Sequence, residues 1–161
     1  MIRKATPADM KQILAVYQAA RTFMAANGNP TQWGTTYPAP ELLEEDIRLG
    51  HLFVDEVQGR VCGVFMFAMG DDPTYAYIED GKWLDESPYG VIHRVASDGT
   101  TRGVLSRCID FCRGQTPHLR IDTHADNHVM QTLVTRAGFT RCGIIYVEDG
   151  SPRIAYEYLK T

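Results

Sequence analysis

Several absences narrow the reading of this 161-residue chain before any motif is weighed. No apolar run approaches the ~18 residues a membrane span needs. The first ten residues, MIRKATPADM, carry no signal-peptide core, so a cytoplasmic location and no membrane partner are expected. Basic residues are in the minority, 16 Lys+Arg against 20 Asp+Glu for a net charge of −4, which argues against nucleic acid as the main partner. The four cysteines, Cys62, Cys108, Cys112 and Cys142, form no CxxC pair. Cys108 and Cys112 share one helix face, a spacing zinc can use, but two small apolar core residues in a reducing compartment account for them more simply. No metal is therefore expected. The phosphate-binding patterns GxxxxGK[ST] and GxGxxG are missing, as is a GxSxG nucleophile elbow. Hydrolase-like and redox readings are disfavoured accordingly.

What is present has the period of a mixed α/β protein. Ile2–Ala5 reads as a short strand. Thr6-Pro7-Ala8-Asp9 then supplies a hydroxyl cap, a proline at the first helical position and a first-turn carboxylate. Met10, Ile13, Leu14, Tyr17, Ala20 and Met24 follow at helical spacing, to about Ala26. After the loop NGNPTQWGTTYPAP, Glu41–Leu49 reads as a second helix. His51–Glu56 and Arg60–Met69 form a hairpin through Gln58-Gly59. The run VCGVFMFAM is apolar on both faces, which predicts a central strand. Residues 71–88 form an irregular connection. Next come a strand (Gly90–Ser97), a helix (Arg102–Arg113), a strand (His118–His124) and a helix (Asp126–Ala137) capped by Gly138. Phe139–Val147 and Arg153–Leu159 close the chain as a hairpin around Glu148-Asp149-Gly150. The order predicts one domain over residues 1–161, a mixed sheet with helices on its faces. The unit from Gly90 to His124 should be a right-handed parallel crossover.

Residues 92–112, IHRVASDGTTRGVLSRCIDFC, concentrate the functional signal. A helix that starts directly after a strand presents unpaired N–H groups and the positive end of its dipole. Glycines let a ligand approach that backbone, and Arg102 adds charge. Such a place suits an anion, most often phosphate. An ordinary turn into a helix would read the same way.

The element order, the IHRVAS strand and the later DTHADNHVMQTLVTRAGF segment together resemble the GNAT superfamily of acetyl-CoA-dependent N-acetyltransferases, over nearly the full length. The resemblance implies a single-domain α/β fold with a mostly antiparallel sheet and helices on both faces. It implies acetyl-CoA as co-substrate: the backbone of Val95-Ala96-Ser97 pairs with the pantetheine arm, Arg102-Gly103-Val104 hold the pyrophosphate, and Asn127 supports the cofactor arm. Two departures stand out. The turn SDGTTRGVLS is shorter than the family's Gln/Arg-x-x-Gly-x-Gly/Ala pattern, and Val134 occupies the position of a frequent general-acid tyrosine.

In the reaction the resemblance implies, an amine attacks an acetyl thioester. An alkylamine of pKa ~10.4 is mostly protonated at neutral pH, so some group must take its proton. His93 is the first candidate base, two residues before Val95 on the same strand face by parity, with a structural histidine as the simpler account. His124 is the second candidate. His51, His118 and His128 read as exposed residues at element ends or on a helix surface, and Cys142 as a buried strand cysteine. Trp33, Tyr37, Tyr75, Tyr77 and Trp83, in the two irregular segments, are candidates for the acceptor site, as pocket walls or cation-stacking faces, or else they close small satellite cores. Residues 71–86 hold six acids and one lysine, a charge suited to a cationic amine or to a solvated loop. The expected function is acetyl transfer to a small-molecule or peptide amine, by a monomer or homodimer. A non-catalytic acyl-CoA-binding module is the alternative.

Overall fold

A computed structural model describes residues 1–161. β1 (Ile2–Lys4) leads through one turn of 3-10 helix at Pro7–Asp9 into α1 (Met10–Ala26). The entry is held by one carboxylate. Asp9 Oδ2 accepts the Thr6 amide at 2.8 Å, and Arg3 grips both carboxylate oxygens at 2.8 and 2.9 Å. α2 (Pro40–Arg48) precedes the hairpin of β2 (Leu52–Val57) and β3 (Arg60–Met69). Gln58 and Gly59 both take positive φ, 52° and 77°, as the two-residue turn between twisted strands requires.

The remaining elements are β4 (Gly90–Ser97), α3 (Val104–Arg113), β5 (His118–Thr123), α4 (His128–Arg136), β6 (Thr140–Tyr146) and β7 (Pro152–Leu159). α3 starts two residues later than its sequence suggests, because residues 98–103 form a structured turn. α4 starts at His128 because Asn127 is its cap: the side chain accepts the Met130 amide at 3.1 Å. The seven strands form one sheet in the order β1-β2-β3-β4-β5-β7-β6. β4 and β5 pair in parallel, Gly90–Ile92 against Leu119–Ile121, as expected of a strand–helix–strand unit. β1–β2, β2–β3, β5–β7 and β6–β7 are antiparallel. No helix is long and apolar enough to cross a membrane.

The chain forms two compact units. The first comprises Met1–Phe67 and His93–Phe111. Its core joins Ile13, Val16, Tyr17 and Ala20 of α1 to Leu43 of α2, to Leu52, Val54, Val61 and Val64 of the hairpin, and to Ala96 of β4. Phe53 stacks on Phe65 at 5.5 Å, and Phe111 packs on both. The four cysteines are all free and buried, as expected of core residues.

The second unit comprises Ala68–Ile92 and Cys112–Thr161. Its apolar core includes Leu119, Ile121, Val134, Phe139, Ile145 and Ile154. A charged knot lies within it. Buried Glu157 takes His118 Nε2 and Arg120 Nε, each at 2.7 Å, and accepts the Leu84 amide at 2.6 Å. Arg120 lies between the rings of Trp83 and Tyr89, 4.1 Å from each centroid, and donates to the Asp85 carbonyl at 2.7 Å. His118, expected to be exposed, is only 1% exposed. The carboxylate of Glu157 on one side and Ser87 on the other satisfy its ring, so burial leaves no polar atom unpaired.

Asp9 gives a pH-dependent test. The Arg3 guanidinium lowers its pKa from 3.8 to about 2, so its contribution to stability is complete above about pH 4 and is lost as pH falls through about 2. Arg3 is partly exposed, so Asp9→Asn should cost roughly 1–2 kcal/mol at pH 7 rather than the full linkage value. Denaturant titrations should show the gap between wild type and variant closing from pH 4 down to pH 2.

Candidate functional site

The segment between β4 and α3 satisfies much of its own backbone. The Asp98 amide donates to the Cys62 carbonyl of β3 at 3.0 Å. Asp98 Oδ1 accepts both the amide and the hydroxyl of Thr100, at 2.9 and 2.6 Å, while Oδ2 pairs with Arg60 at 2.8 Å. Burial pushes the Asp98 carboxyl up, but Thr100 and Arg60 outweigh it and hold the group below its ordinary value. Ser97 Oγ accepts the Gly99 amide at 3.1 Å. The amides of Gly99 and Thr100 are thereby occupied.

The next donors along the chain lie at the start of α3. The Gly103 carbonyl accepts the Arg107 amide at 3.0 Å, which makes Gly103 the residue before the first turn. The amides of Val104, Leu105 and Ser106 then have no acceptor within the helix, and the positive end of its dipole lies there. Gly103 takes φ 79°, a conformation open to glycine at no steric cost, and the Arg102 side chain is exposed beside it. Of the residues singled out for the anion site, Arg102, Gly103 and Val104 therefore share this helix start.

A glycine on β3 leaves room for the first residue of that helix. A Cβ built on Gly63 of β3 would lie 2.5 Å from Val104 Cγ1 and 3.5 Å from the Ala96 carbonyl. Only hydrogen fits there. Sequence reasoning missed Gly63, since a glycine within an apolar strand signals close backbone approach without naming what approaches.

β4 itself departs from a regular strand at Arg94, which has φ 54°. Tyr17 Oη donates to its carbonyl at 2.7 Å, and its Nη2 pairs with Asp46 at 2.6 Å. Burial raises the Tyr17 pKa far above its ordinary value, so the phenol remains a donor. The left-handed residue interrupts side-chain alternation, so parity no longer places His93 and Val95 on one face. Val95 and Ser97 are half-buried and Ala96 is buried.

No family model matches the chain, and neither does any curated protein. Solved structures do. A GNAT-family acetyltransferase from Streptococcus agalactiae is 28% identical, with a TM-score of 0.91 over 100% of this chain and 95% of that one. The chain has the GNAT fold. A GNAT-family acetyltransferase from Listeria monocytogenes has a TM-score of 0.72 at 20% identity, covering 99% of this chain and 94% of that one. A ribosomal-protein-alanine N-acetyltransferase from Brucella melitensis has a TM-score of 0.62 at 21% identity, covering 99% of both chains. The last two speak to fold alone. The first supports the acyltransferase class.

Against the GNAT pattern, Val134 is fully buried in the second unit. The position that often carries the family's tyrosine is here part of the core. The phenol of Tyr146 donates to Glu79, and that bond raises its pKa, which makes it a poor proton source. His124 Nδ1 accepts the Asp126 amide at 3.0 Å and so helps shape the approach to α4. Cys142 is pushed up to about 11 by burial and the nearby Glu157, which leaves an unreactive thiol at neutral pH.

The five aromatics separate into distinct settings. Trp33 packs edge-on against Tyr17 at 5.6 Å, with Tyr37 beside it at 6.4 Å. Tyr75 is buried, its hydroxyl on Asp122 at 2.7 Å, and its ring lies 5.2 Å from that of Trp83. Trp83 Nε1 donates to the Tyr75 carbonyl at 2.8 Å, so these two close a satellite core. Tyr77 is exposed and shares Glu79 with Tyr146.

The Gly63–Val104 contact gives a direct test. Gly63→Ala should destabilise the protein by about 1–3 kcal/mol through overpacking. Adding Val104→Ala should recover part of that loss, and a double-mutant cycle from denaturant melts would measure the coupling.

Proposed function

We propose that the protein is an acetyl-CoA-dependent N-acetyltransferase that passes the acetyl group to a primary amine by direct attack. The observation that carries the reading is the full-length likeness to a GNAT-family acetyltransferase, at a TM-score of 0.91. The residues present fit an acyl donor that carries a diphosphate. α3 begins with unpaired amides, Gly103 has no side chain in the way, and Arg102 brings a positive charge to the same place.

Acetyl-CoA supplies an acetyl group activated as a thioester; the chain supplies position and proton handling. Arg102, Gly103 and Val104 hold the diphosphate. The backbone of Val95, Ala96 and Ser97 aligns the pantetheine arm, and an amide near Val95 donates to the thioester oxygen as charge develops there. Asn127, beyond its role as helix cap, steadies the arm. His93 takes the proton of the incoming ammonium. Trp33, Tyr37 and Tyr77 receive the acceptor, and buried Tyr75 with half-buried Trp83 beside it shapes the segment that carries Tyr77. The acids between residues 71 and 86 favour a cationic amine.

Loss of the phenol at position 134 favours one competing reading, a module that binds acyl-CoA without turning it over. A panel of amines incubated with acetyl-CoA, followed by free-thiol release, separates the two. Turnover supports the enzyme, while binding without turnover supports the module. In calorimetry, Arg102→Glu should weaken acetyl-CoA binding by about 1–3 kcal/mol, through loss of a charge-assisted contact plus repulsion. Unchanged affinity would remove Arg102 from the site. With a verified acceptor, His93→Ala should slow transfer by about 10²–10⁴-fold and flatten the rise of rate with pH. A wild-type rate and profile would reassign the base to water or another residue.

A further inference from the structure

We infer that Arg107, on the first turn of α3, is a positioning residue for the acyl donor: it fixes the Arg102–Gly103 peptide so that the Gly103 N–H faces the diphosphate. The inference rests on the acetyl-CoA reading above and adds a residue that the sequence did not single out. Arg107 Nη1 donates to the Arg102 carbonyl at 2.7 Å, and its Nε donates to Asp55 Oδ2 at 2.7 Å. Asp55 lies on β2 and is 1% exposed, so the guanidinium is anchored at one edge to a buried charge and at the other to the turn. A trans peptide is planar, with its C=O and N–H pointing in opposite directions. Capture of the Arg102 carbonyl by Arg107 therefore turns the Gly103 N–H away from Arg107. In that orientation it joins the unpaired amides at the start of the helix.

Glycine makes this anchor necessary. Residue 103 sits at φ 79° and, lacking a side chain, can take either sign of φ at similar cost. The peptide before it can flip, which would exchange N–H for C=O at the anion-binding face and set a carbonyl dipole against the diphosphate. Arg107 blocks that flip. A Cβ placed on Gly103 would lie 3.3 Å from Arg107 Nη1, so the guanidinium lies directly against this residue. Lysine could keep the charge beside Asp55, but a single ammonium lacks the planar fork that spans carboxylate and carbonyl together.

The test is calorimetry of coenzyme A binding to the full chain, for wild type, Arg107→Met and Arg107→Lys, with melting curves for each. Both variants should raise the Kd about tenfold, the equivalent of one lost hydrogen bond to a well-placed guanidinium. In amide NMR of the wild type, coenzyme A should shift the Gly103 resonance, and Arg107→Lys should lose that shift. A residue that only ties α3 to β2 would lower the melting temperature and leave the Kd within twofold of wild type, which would overturn the inference. If Arg107→Met does not fold, Arg107→Lys decides. A wild-type Gly103 resonance unmoved by bound coenzyme A would overturn the inference without any variant. Failure of the wild type to bind coenzyme A at all would instead overturn the acetyl-CoA reading, and this inference with it.

Discussion

Arg94 holds φ 54° inside a β-strand, a conformation that costs an L-residue about 1–2 kcal/mol and is kept only where its surroundings enforce it. Here two do. Tyr17 comes from α1 and Asp46 from α2, and each makes one short hydrogen bond to Arg94, at its carbonyl and its guanidinium. Both partners are buried, so neither bond competes with water. The two N-terminal helices thus do more than cover β2 and β3. They fix the course of β4 through His93 and Val95–Ser97, and the turn and α3 take their direction from that course.

Elements marked by local chemistry were legible in the sequence. Gln58-Gly59 forms the predicted turn, Thr6 and Asp9 open the first helix, and Gly138 follows the last one with φ 95°. The GNAT fold was legible too, from element order and the IHRVAS and DNHVMQTLV segments. What the sequence hid was non-local. His118 meets Glu157 across 39 positions and Arg107 meets Asp55 across 52, and neither pair leaves a spacing signal. A histidine at the start of a strand reads as exposed until a buried carboxylate is placed beside it. Parity failed at Arg94 for a related reason. A left-handed arginine looks like any other strand residue, because distant partners impose its conformation.

The aromatics show the same limit from the other direction. In the sequence, Tyr75, Tyr77 and Trp83 form one group in an irregular, acidic segment. In the structure, the cation of Arg120 against the face of Trp83 and the Tyr75–Asp122 bond draw two of them inward. Tyr77, two residues from Tyr75, stays in solvent. Composition identified the segment but could not divide it, since the division depends on which ring finds a partner for its polar edge. The Glu157 knot then holds residues 84–87 chiefly through backbone atoms, the Leu84 amide and the Asp85 and Ser87 carbonyls, with the Ser87 hydroxyl also against His118 Nδ1. Side-chain identity in that stretch says little about the anchoring.

The shortened turn and the missing phenol bear differently on the choice between enzyme and binding module. The turn satisfies its own early amides through Asp98 and Ser97, which shifts the open donors to the start of α3 without removing them. Its shortness is therefore neutral. The phenol is a question of magnitude. A leaving thiolate whose thiol has pKa ~8.5 can depart unprotonated at pH 7 for roughly 2 kcal/mol, since each pKa unit is 1.36 kcal/mol. That slows a reaction about thirtyfold, against accelerations of 10⁶-fold and more that enzymes supply. Val134 is fully buried, so a tyrosine placed there would overpack the core before it could act as an acid. Tyr146 is committed to Glu79. Within the acetyl-transfer reading, the thiol proton then comes from water, and a buried valine at this position is compatible with a slower enzyme as well as with a module that only binds.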